Sequence, residues 1–162
     1  MAKKSQLKIP PQNLEAEQAV LGSILIDKNA IFRVADLLVP KDFYSPANEK
    51  IYETILGLYE KRQPIDLLTL TSRLKENDVL KEIGGSSYLA DLTNQVATSS
   101  HVADYAKSVK EKKVLRDLIV ASTEITENVF GPSQEIEDLL DDIVQKMLSI
   151  SQRSLPTIFS PL

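Results

Sequence analysis

The chain has 162 residues, of which 43% are hydrophobic and 26% charged, a composition typical of a folded globular protein and not of a disordered one. It contains no cysteine, which excludes a disulfide framework, a thiolate zinc site and a cysteine nucleophile. The formal net charge is −4, whereas a dedicated duplex-binding domain is usually basic. Only five glycines are present and helix formers dominate, so the composition favours an all-α fold over a β sandwich.

The sequence gives no indication of a membrane partner. No stretch approaches the roughly 20 apolar residues that a spanning helix needs, and no apolar run follows the first residues as it would in a signal peptide. Together with the absence of cysteine, these features favour a cytoplasmic protein.

Residues 1–13 are predicted to form a flexible basic arm. The arm carries Lys3, Lys4 and Lys8, has no apolar series with helical spacing, and contains the helix-breaking pair Pro10-Pro11. Residues 14–98 are predicted to form a globular helical subdomain. The predicted helices cover 14–25, 29–38, the segment from Pro46, 67–75, 78–83 and the segment from Ser86 or Ser87.

Capping residues mark three of these helix starts, since each directly precedes an apolar series with helical spacing: Asn13, Ser45 and Asp66. The pair Gly84-Gly85 is predicted to end the helix before it. Phe43-Tyr44 is predicted to be a hydrophobic plug over the core.

Residues 99–152 are predicted to form a long antiparallel helical hairpin. The first helix runs from His101 to Phe130, Gly131-Pro132-Ser133 reverses the chain with Ser133 as a cap, and the second helix runs from Gln134 to about Gln152. Residues 153–162 are predicted to be the start of a linker, because prolines and serines replace the helical pattern.

The apolar surface of this hairpin is too broad for one partner helix. Five apolar residues of its first helix share one side: Val114, Leu118, Ala121, Ile125 and Val129. Three more lie about a quarter turn away at about 100° per residue: Leu115, Ile119 and Phe130. Either the globular subdomain or another chain is expected to cover the excess, and pairing of hairpins into a four-helix bundle is a direct solution.

Charge along the hairpin also favours a partner. Seven acids and no base lie between Glu124 and Asp142, whereas the open end is basic. Such charges are poorly matched within one hairpin, so a complementary molecule would stabilise them. Screening by water and salt is the alternative explanation.

No catalytic, cofactor-binding or metal-ligating residue is predicted. A phosphate-binding loop needs clustered glycines before a Lys, but the chain has no Gly-Lys pair and Gly84-Gly85 precedes Ser86. The single histidine, His101, sits at a helix start and is expected to cap it or to face solvent. Three acids near the start of the last helix are expected to interact with the positive end of the helix dipole and not to bind a metal ion: Asp138, Asp141 and Asp142.

Nucleic-acid binding stays open as an alternative function. A basic run on the first hairpin helix could contact phosphates together with the basic arm: Lys107, Lys110, Lys112, Lys113 and Arg116. Asp104 and Glu111 interleave with this run, and no aromatic residues alternate with it as a stacking platform requires.

The residues from Pro11 and Asn13 through the segment 15–22 resemble the opening signature of DnaB-type bacterial replicative DNA helicases. The shared positions continue in order with Phe43-Tyr44, Ile51-Tyr52, Pro64-Ile65-Asp66, Leu70, Leu74, Gly84-Gly85, Tyr88-Leu89, Leu92, Tyr105-Ala106, Lys112 and Leu115-Arg116. The resemblance covers residues 9–153. One departure is Asn48, where the family often has histidine; it is expected to matter little, as an exposed residue at a helix start.

The resemblance implies that this chain is the all-α N-terminal domain of a hexameric helicase, with a globular helical bundle followed by a helical hairpin. The motor, which uses ATP and Mg, is a separate RecA-like domain that this chain lacks and through which DNA is mainly bound. Hairpins pair between subunits into a trimer of dimers, a collar that docks primase and influences the helicase loader. A free-standing adaptor that resembles a loader is a further alternative.

Six residues are therefore predicted as contacts with a partner or another subunit: Glu15, Tyr88, Leu115, Ile119, Ile125 and Phe130. Tyr88 is the kind of amphipathic aromatic that is enriched at interfaces. Ile125 lies on the main hairpin stripe, and its alternative is an internal core position. For Glu15 the alternative is a favourable interaction with the helix dipole.

Overall fold

The computed structural model describes residues 8–132 and 134–158, with the side chains of these residues as far as Ser154. The described residues contain helices and connecting turns but no strand, which confirms the predicted all-α fold. The elements are α1 (Leu14–Ile26), α2 (Ala30–Val34), a 3₁₀ turn (Pro40–Asp42), α3 (Pro46–Glu60), α4 (Leu67–Glu76), α5 (Gly85–Asn94), α6 (Val102–Phe130) and α7 (Ile136–Ile158).

The three predicted helix caps are confirmed. In each case the side-chain oxygen of the cap accepts a hydrogen bond from a backbone N–H in the first turn, which satisfies a donor that the helix itself leaves unpaired. The donors are Ala16 for Asn13, Asn48 for Ser45 and Thr69 for Asp66. The predicted cap Ser133 lies outside the described residues.

The core of the globular part is built around α1, which contacts α2, α3, α5 and α6. Val20, Leu21 and Ile24 of α1 are completely buried. On the same helix, a Cβ added to Gly22 would lie 2.2 Å from the carbonyl oxygen of Leu92 on α5. The absence of a side chain at Gly22 therefore sets the close packing of α1 on α5.

Several predicted helix bounds in this part are wrong. The segment 78–83 forms turns rather than a helix, between Asp78 at φ 57° and Gly84 at φ 110°. The five residues between these two left-handed positions are too few to offset the cost of starting a helix. α2 ends at Val34 and not at residue 38, and α5 begins at Gly85, one or two residues earlier than predicted.

The predicted boundary at residue 98 does not separate two cores. Val102, Ala106 and Val109, in the first turns of α6, belong to the same buried cluster as the residues of α1 to α5. The buried residues of α6 recur every three or four positions, so one side of this helix stays in the core as far as Lys110.

The second hairpin helix is longer than predicted, because α7 ends at Ile158 and not near residue 152. Ile150 and Ser154, one turn apart, are both buried, so the packed side of α7 continues past the predicted end. Residues 153–158 are thus helical where a linker was predicted. None of the described helices combines the length and the apolarity needed to cross a membrane.

Candidate protein–protein interface

The two hairpin helices pack against each other through a narrow strip. Ala121 on α6 and Ile150 on α7 are both buried and line the same crevice. Contrary to the expected mismatch of charge, opposite charges also meet across the hairpin. Lys146 Nζ lies 3.6 Å from Glu124 Oε2, and an Arg153 nitrogen lies 3.9 Å from Asp117 Oδ2.

A second apolar strip of the hairpin is open to solvent, and we call it the hairpin face. Its members are exposed apolar residues of both helices: Leu115, Leu118 and Val129 of α6, and Ile136, Leu140, Val144 and Leu148 of α7. On each helix, the middle of this exposed strip lies about a quarter turn around the helix axis from the buried contact residue, counted at about 100° per residue. The buried contact residue is Ala121 on α6 and Ile150 on α7. Because the helices are antiparallel, the two strips lie on the same side of the hairpin.

The hairpin is tied to the globular part by Arg116. One guanidinium nitrogen donates to the carbonyl oxygen of Pro11 and the other to that of Asp42, both at 2.8 Å. The guanidinium carbon lies 5.4 Å from the ring centroid of Tyr44, a cation–π distance. Lys110 adds a buried ion pair with Asp42, with 2.6 Å between Nζ and Oδ2. These contacts fix the point at which α6 leaves the globular part.

The same contacts occupy much of the basic run that was considered for nucleic-acid binding. Lys110 and Arg116 are engaged with the globular part, and Lys113 Nζ lies 3.0 Å from Asp117 Oδ1 one turn along α6. Lys107 is exposed and Lys112 is half-buried. Three of the five basic side chains of the run are therefore engaged within the chain itself. Lys3 and Lys4 of the predicted arm lie outside the described residues.

A buried polar network, which sequence reasoning missed, lies at the start of α3. The carboxylate of Glu17, only 1% exposed, accepts hydrogen bonds from the backbone N–H of Tyr44 at 2.8 Å and of Ser45 at 3.2 Å. It also accepts one from Asn48 Nδ2 at 3.0 Å. The signal was present in the sequence, since Glu17 occupies the same helical stripe as Val20 and Ile24.

Asn48 is therefore not an exposed helix-start residue as expected. It is 1% exposed, and its Oδ1 accepts a hydrogen bond of 2.6 Å from the hydroxyl of Tyr88. The amide of Gln18 approaches the same hydroxyl at 3.5 Å. Burial raises the pKa of Tyr88 above its ordinary value. The expected exposure of position 48 is therefore wrong, because its side chain joins α1, α3 and α5. The expectation that asparagine in place of histidine matters little stays a prediction.

The six predicted interface residues do not form one site. Glu15 is exposed on α1, and Tyr88 is half-buried with its hydroxyl used by the network. Gln18 lies between them, because its side-chain amide donates a hydrogen bond to the Tyr88 hydroxyl and because it lines a cleft of about 460 Å³ together with Glu15. The other predicted residues lie on α6: Leu115, Ile119 and Phe130 are exposed, whereas Ile125 is half-buried.

The residues that the structure describes do not fit ATP or Mg. Among the described residues, no group of three or more acidic or histidine side chains is placed to hold a metal ion. His101 is largely exposed, with Nδ1 3.8 Å from Asp104 Oδ2, and Asp142 accepts a hydrogen bond from Gln134. The chain also has no Gly-Lys pair from which a phosphate loop could be built.

Comparison with known proteins identifies the family. The model of the DnaB-like helicase N terminal domain matches residues 9–111. The chain belongs to this family. The replicative DNA helicase DnaC of Bacillus subtilis is 41% identical over 152 residues, which are 94% of this chain and 34% of the relative. The replicative DNA helicase DnaB of Geobacillus stearothermophilus is 42% identical over 146 residues, 90% of this chain and 32% of the relative.

The solved structures agree with this family assignment. The crystal structure of the N-terminal domain of DnaB helicase from Mycobacterium tuberculosis has a TM-score of 0.81 and 36% identity, and the match covers 87% of this chain and 99% of that one. A DnaB-like replicative helicase, solved to show its interactions with primase, has a TM-score of 0.73 and 30% identity over 87% of this chain and 31% of that one. The chain spans about a third of the length of the Bacillus and Geobacillus helicases, and its likeness is to the N-terminal part of such helicases.

Proposed function

We propose that this chain is the non-catalytic N-terminal domain of a hexameric replicative DNA helicase, in which it builds the ring collar and docks primase. The hairpin face carries the proposal. Contiguous exposed apolar strips of this kind mark surfaces that another protein covers. Pairing of two hairpin faces about a twofold axis would bury both strips in a four-helix bundle, and three such dimers would complete a hexamer.

The rigid attachment of the hairpin supports a role in assembly. Arg116 and Lys110 hold α6 to Asp42 at the edge of the globular part. A hairpin fixed in this way transmits the geometry of the bundle to the globular part, which a hairpin on a flexible linker would not do.

Primase docking is supported by the similar helicase whose interactions with primase have been solved. In this chain, the exposed cleft containing Glu15 and Gln18 lies beside Tyr88 and offers a surface separate from the hairpin face. ATP and Mg would act in the motor domain of the whole helicase, together with most of its DNA contacts. A helicase loader is a further partner that the family resemblance implies.

Self-association is tested by light scattering across a concentration series, with wild type and Leu140→Asp compared. Leu140 is 55% exposed, so the substitution should leave the fold intact but place a charge in the paired hairpin faces. We expect dimers or larger species for wild type and monomers for the variant. The matched control is Gln152→Asp, an exposed α7 residue outside the hairpin face, which should assemble as wild type does.

A wild-type chain that stays monomeric at high micromolar concentration would overturn the collar proposal. Primase docking is tested with the carboxy-terminal domain of the cognate primase, whose complex should be weakened by Glu15→Lys but not by Lys81→Glu on another exposed surface.

A titration with fluorescent single-stranded DNA at two salt concentrations tests the alternative function, nucleic-acid binding. Tight binding that is lost with salt would favour a nucleic-acid-binding module instead.

A further inference from the structure

A groove on the globular part is separate from both the hairpin face and the Glu15 cleft. It encloses about 580 Å³ between α2 and the end of α3, and we call it the α2–α3 groove. Its wall is apolar and includes Phe32, Tyr59, Pro64 and Ile65. Phe32 is 60% exposed, with its ring edge-on to Tyr59 at 5.7 Å between centroids. An aromatic side chain that is held in place but not covered is typical of a pocket for a large apolar anchor.

The rim of this groove is mainly basic. Lys28 and Arg62 lie on it with one acid, Glu60. Neither Lys28 nor Arg62 forms an ion pair within the part of the chain that the structure describes. Arg62 has φ 56°, and its backbone N–H donates to the carbonyl of Tyr59 at 3.1 Å, so the rim is a defined turn. An occupant with an apolar side chain and flanking carboxylates would fit it.

The hairpin tip of the same chain has this chemistry. Phe130 is 86% exposed, the largest fraction among the exposed large apolar residues of the described chain. Val129, which precedes it, and Ile136, the first residue of α7, are also open to solvent. Glu127 and Glu135 flank them, and neither pairs with a base among the described residues. We call residues 127–130 and 135–138 the hairpin tip.

We infer that the hairpin tip of one copy docks in the α2–α3 groove of another copy. Phe130 enters beside Phe32 and Tyr59, and Glu127 and Glu135 face Lys28 and Arg62. The apolar wall favours a protein side chain over a nucleotide, and the acidic tip matches the basic rim. This inference deepens the proposed function and depends on it, because both require self-association.

A tip cannot reach the groove of its own chain. Lys110 is fixed to Asp42 in the globular part, and α6 continues from there as one helix to Phe130. Twenty further residues at 1.5 Å each carry the tip about 30 Å away. The contact is therefore between copies, and because it joins two different surfaces it is heterologous, as in ring-forming assemblies.

Site-specific disulfide formation tests the contact, and the chain suits this test because it has no cysteine of its own. Lys28→Cys and Asn128→Cys, at exposed positions of the groove rim and the tip, are made in separate copies of the 162-residue chain, one carrying a longer tag. After mild oxidation of the mixture, we expect a tagged–untagged dimer. The control pair replaces Lys28→Cys with Lys81→Cys, which is exposed outside the groove and should give roughly tenfold less of this dimer.

Charge reversal gives a second measurement. One variant carries Lys28→Glu and Arg62→Glu, and another carries Glu127→Lys and Glu135→Lys. Each alone should associate roughly tenfold more weakly, as expected for loss of close charge pairs, and an equimolar mixture should recover much of this loss. Lys81→Glu is the matched control and should associate as wild type does.

The outcomes separate this inference from the proposed function. If wild type self-associates and Leu140→Asp abolishes it, but the cysteine pair and the mixed variants behave as their controls do, the tip contact is overturned and the collar proposal stands. If wild type is monomeric throughout, both are overturned. Selective cross-linking together with recovery in the mixture supports the tip contact.

Discussion

Nζ of Lys110 lies 2.6 Å from Oδ2 of Asp42, and both side chains are almost completely buried. The same carboxylate oxygen accepts a hydrogen bond of 2.8 Å from the backbone N–H of Val39, so it anchors the 3₁₀ turn as well as α6. Each charge is compensated only while the other is present. Removal of one partner leaves a buried charge unpaired, which costs far more than the net value of the pair.

Lys110→Met is therefore expected to lower the free energy of unfolding by about 3–5 kcal/mol, as is usual for a broken buried pair. Urea unfolding followed by circular dichroism measures this loss. Lys107→Met, three residues earlier and exposed, is the matched control and should change stability by no more than about 0.5 kcal/mol. Equal effects of the two substitutions would show that the ion pair does not fasten α6.

Local features of the fold were predictable from the sequence. Asn13, Ser45 and Asp66 are predictable as caps from the apolar series that each precedes, since a capping hydrogen bond reaches only three residues along the chain. The long helix α6 and its antiparallel partner follow from uninterrupted apolar spacing and a short connection.

Contacts between distant residues were not predictable in this way. Asn48 meets Glu17 and Tyr88 across 31 and 40 positions, and nothing in its immediate sequence distinguishes it from an exposed helix-start residue. The contacts of Arg116, which the sequence places in a basic run, were not predictable either, because its acceptors are backbone carbonyls that carry no sequence signal. The exposed apolar residues of the hairpin were predicted, whereas the groove beside Phe32 depends on how α2 and α3 meet.

The Glu17–Asn48–Tyr88 network gives a prediction about position 48. Asn48→Ala should cost about 1–3 kcal/mol, because Glu17 loses a donor and the Tyr88 hydroxyl loses its acceptor. Asn48→His should cost less, since a neutral imidazole can donate from one nitrogen and accept at the other. Chemical denaturation compares the two variants, with exposed Asn94→Ala as the control. A histidine variant as unstable as the alanine variant would contradict the proposed donor–acceptor role.

The two helical glycines Gly22 and Gly57 should respond oppositely to alanine. In Gly22→Ala, the new Cβ would lie 2.2 Å from the Leu92 carbonyl oxygen, so α1 and α5 must separate at a cost of about 1–3 kcal/mol or more. Around Gly57 in α3, nothing lies within 4 Å of the added Cβ. Gly57→Ala should raise stability by about 0.5–1 kcal/mol through helix propensity. Thermal unfolding of both variants measures the difference, and destabilisation by Gly57→Ala would show that this part of α3 is more crowded than described.

Asp27 couples the end of α1 to the segment before α6 and makes stability depend on pH. Its carboxylate accepts hydrogen bonds from the Ser99 hydroxyl at 2.6 Å, from the Asn29 backbone at 2.9 Å and from Arg33 at 3.0 Å. The bond from Ser99, followed by the one from Asn29, lowers the pKa of Asp27 below its ordinary value. The folded state thus favours the ionised carboxylate, so its stabilising effect is complete above the unfolded pKa of about 3.9 and is lost as pH falls through the lower folded pKa.

Ser99→Ala removes the largest cause of this shift. We expect the variant to be less stable than wild type at neutral pH, and we expect the difference to shrink as the pH falls below about 4. Urea unfolding at several pH values between neutral and 3 measures the gap, and Ser87→Ala, at an exposed position whose hydroxyl only meets the Gly84 carbonyl at 3.5 Å, is the control. A gap that stays constant over this range would mean that Ser99 acts through packing and not through the ionised carboxylate.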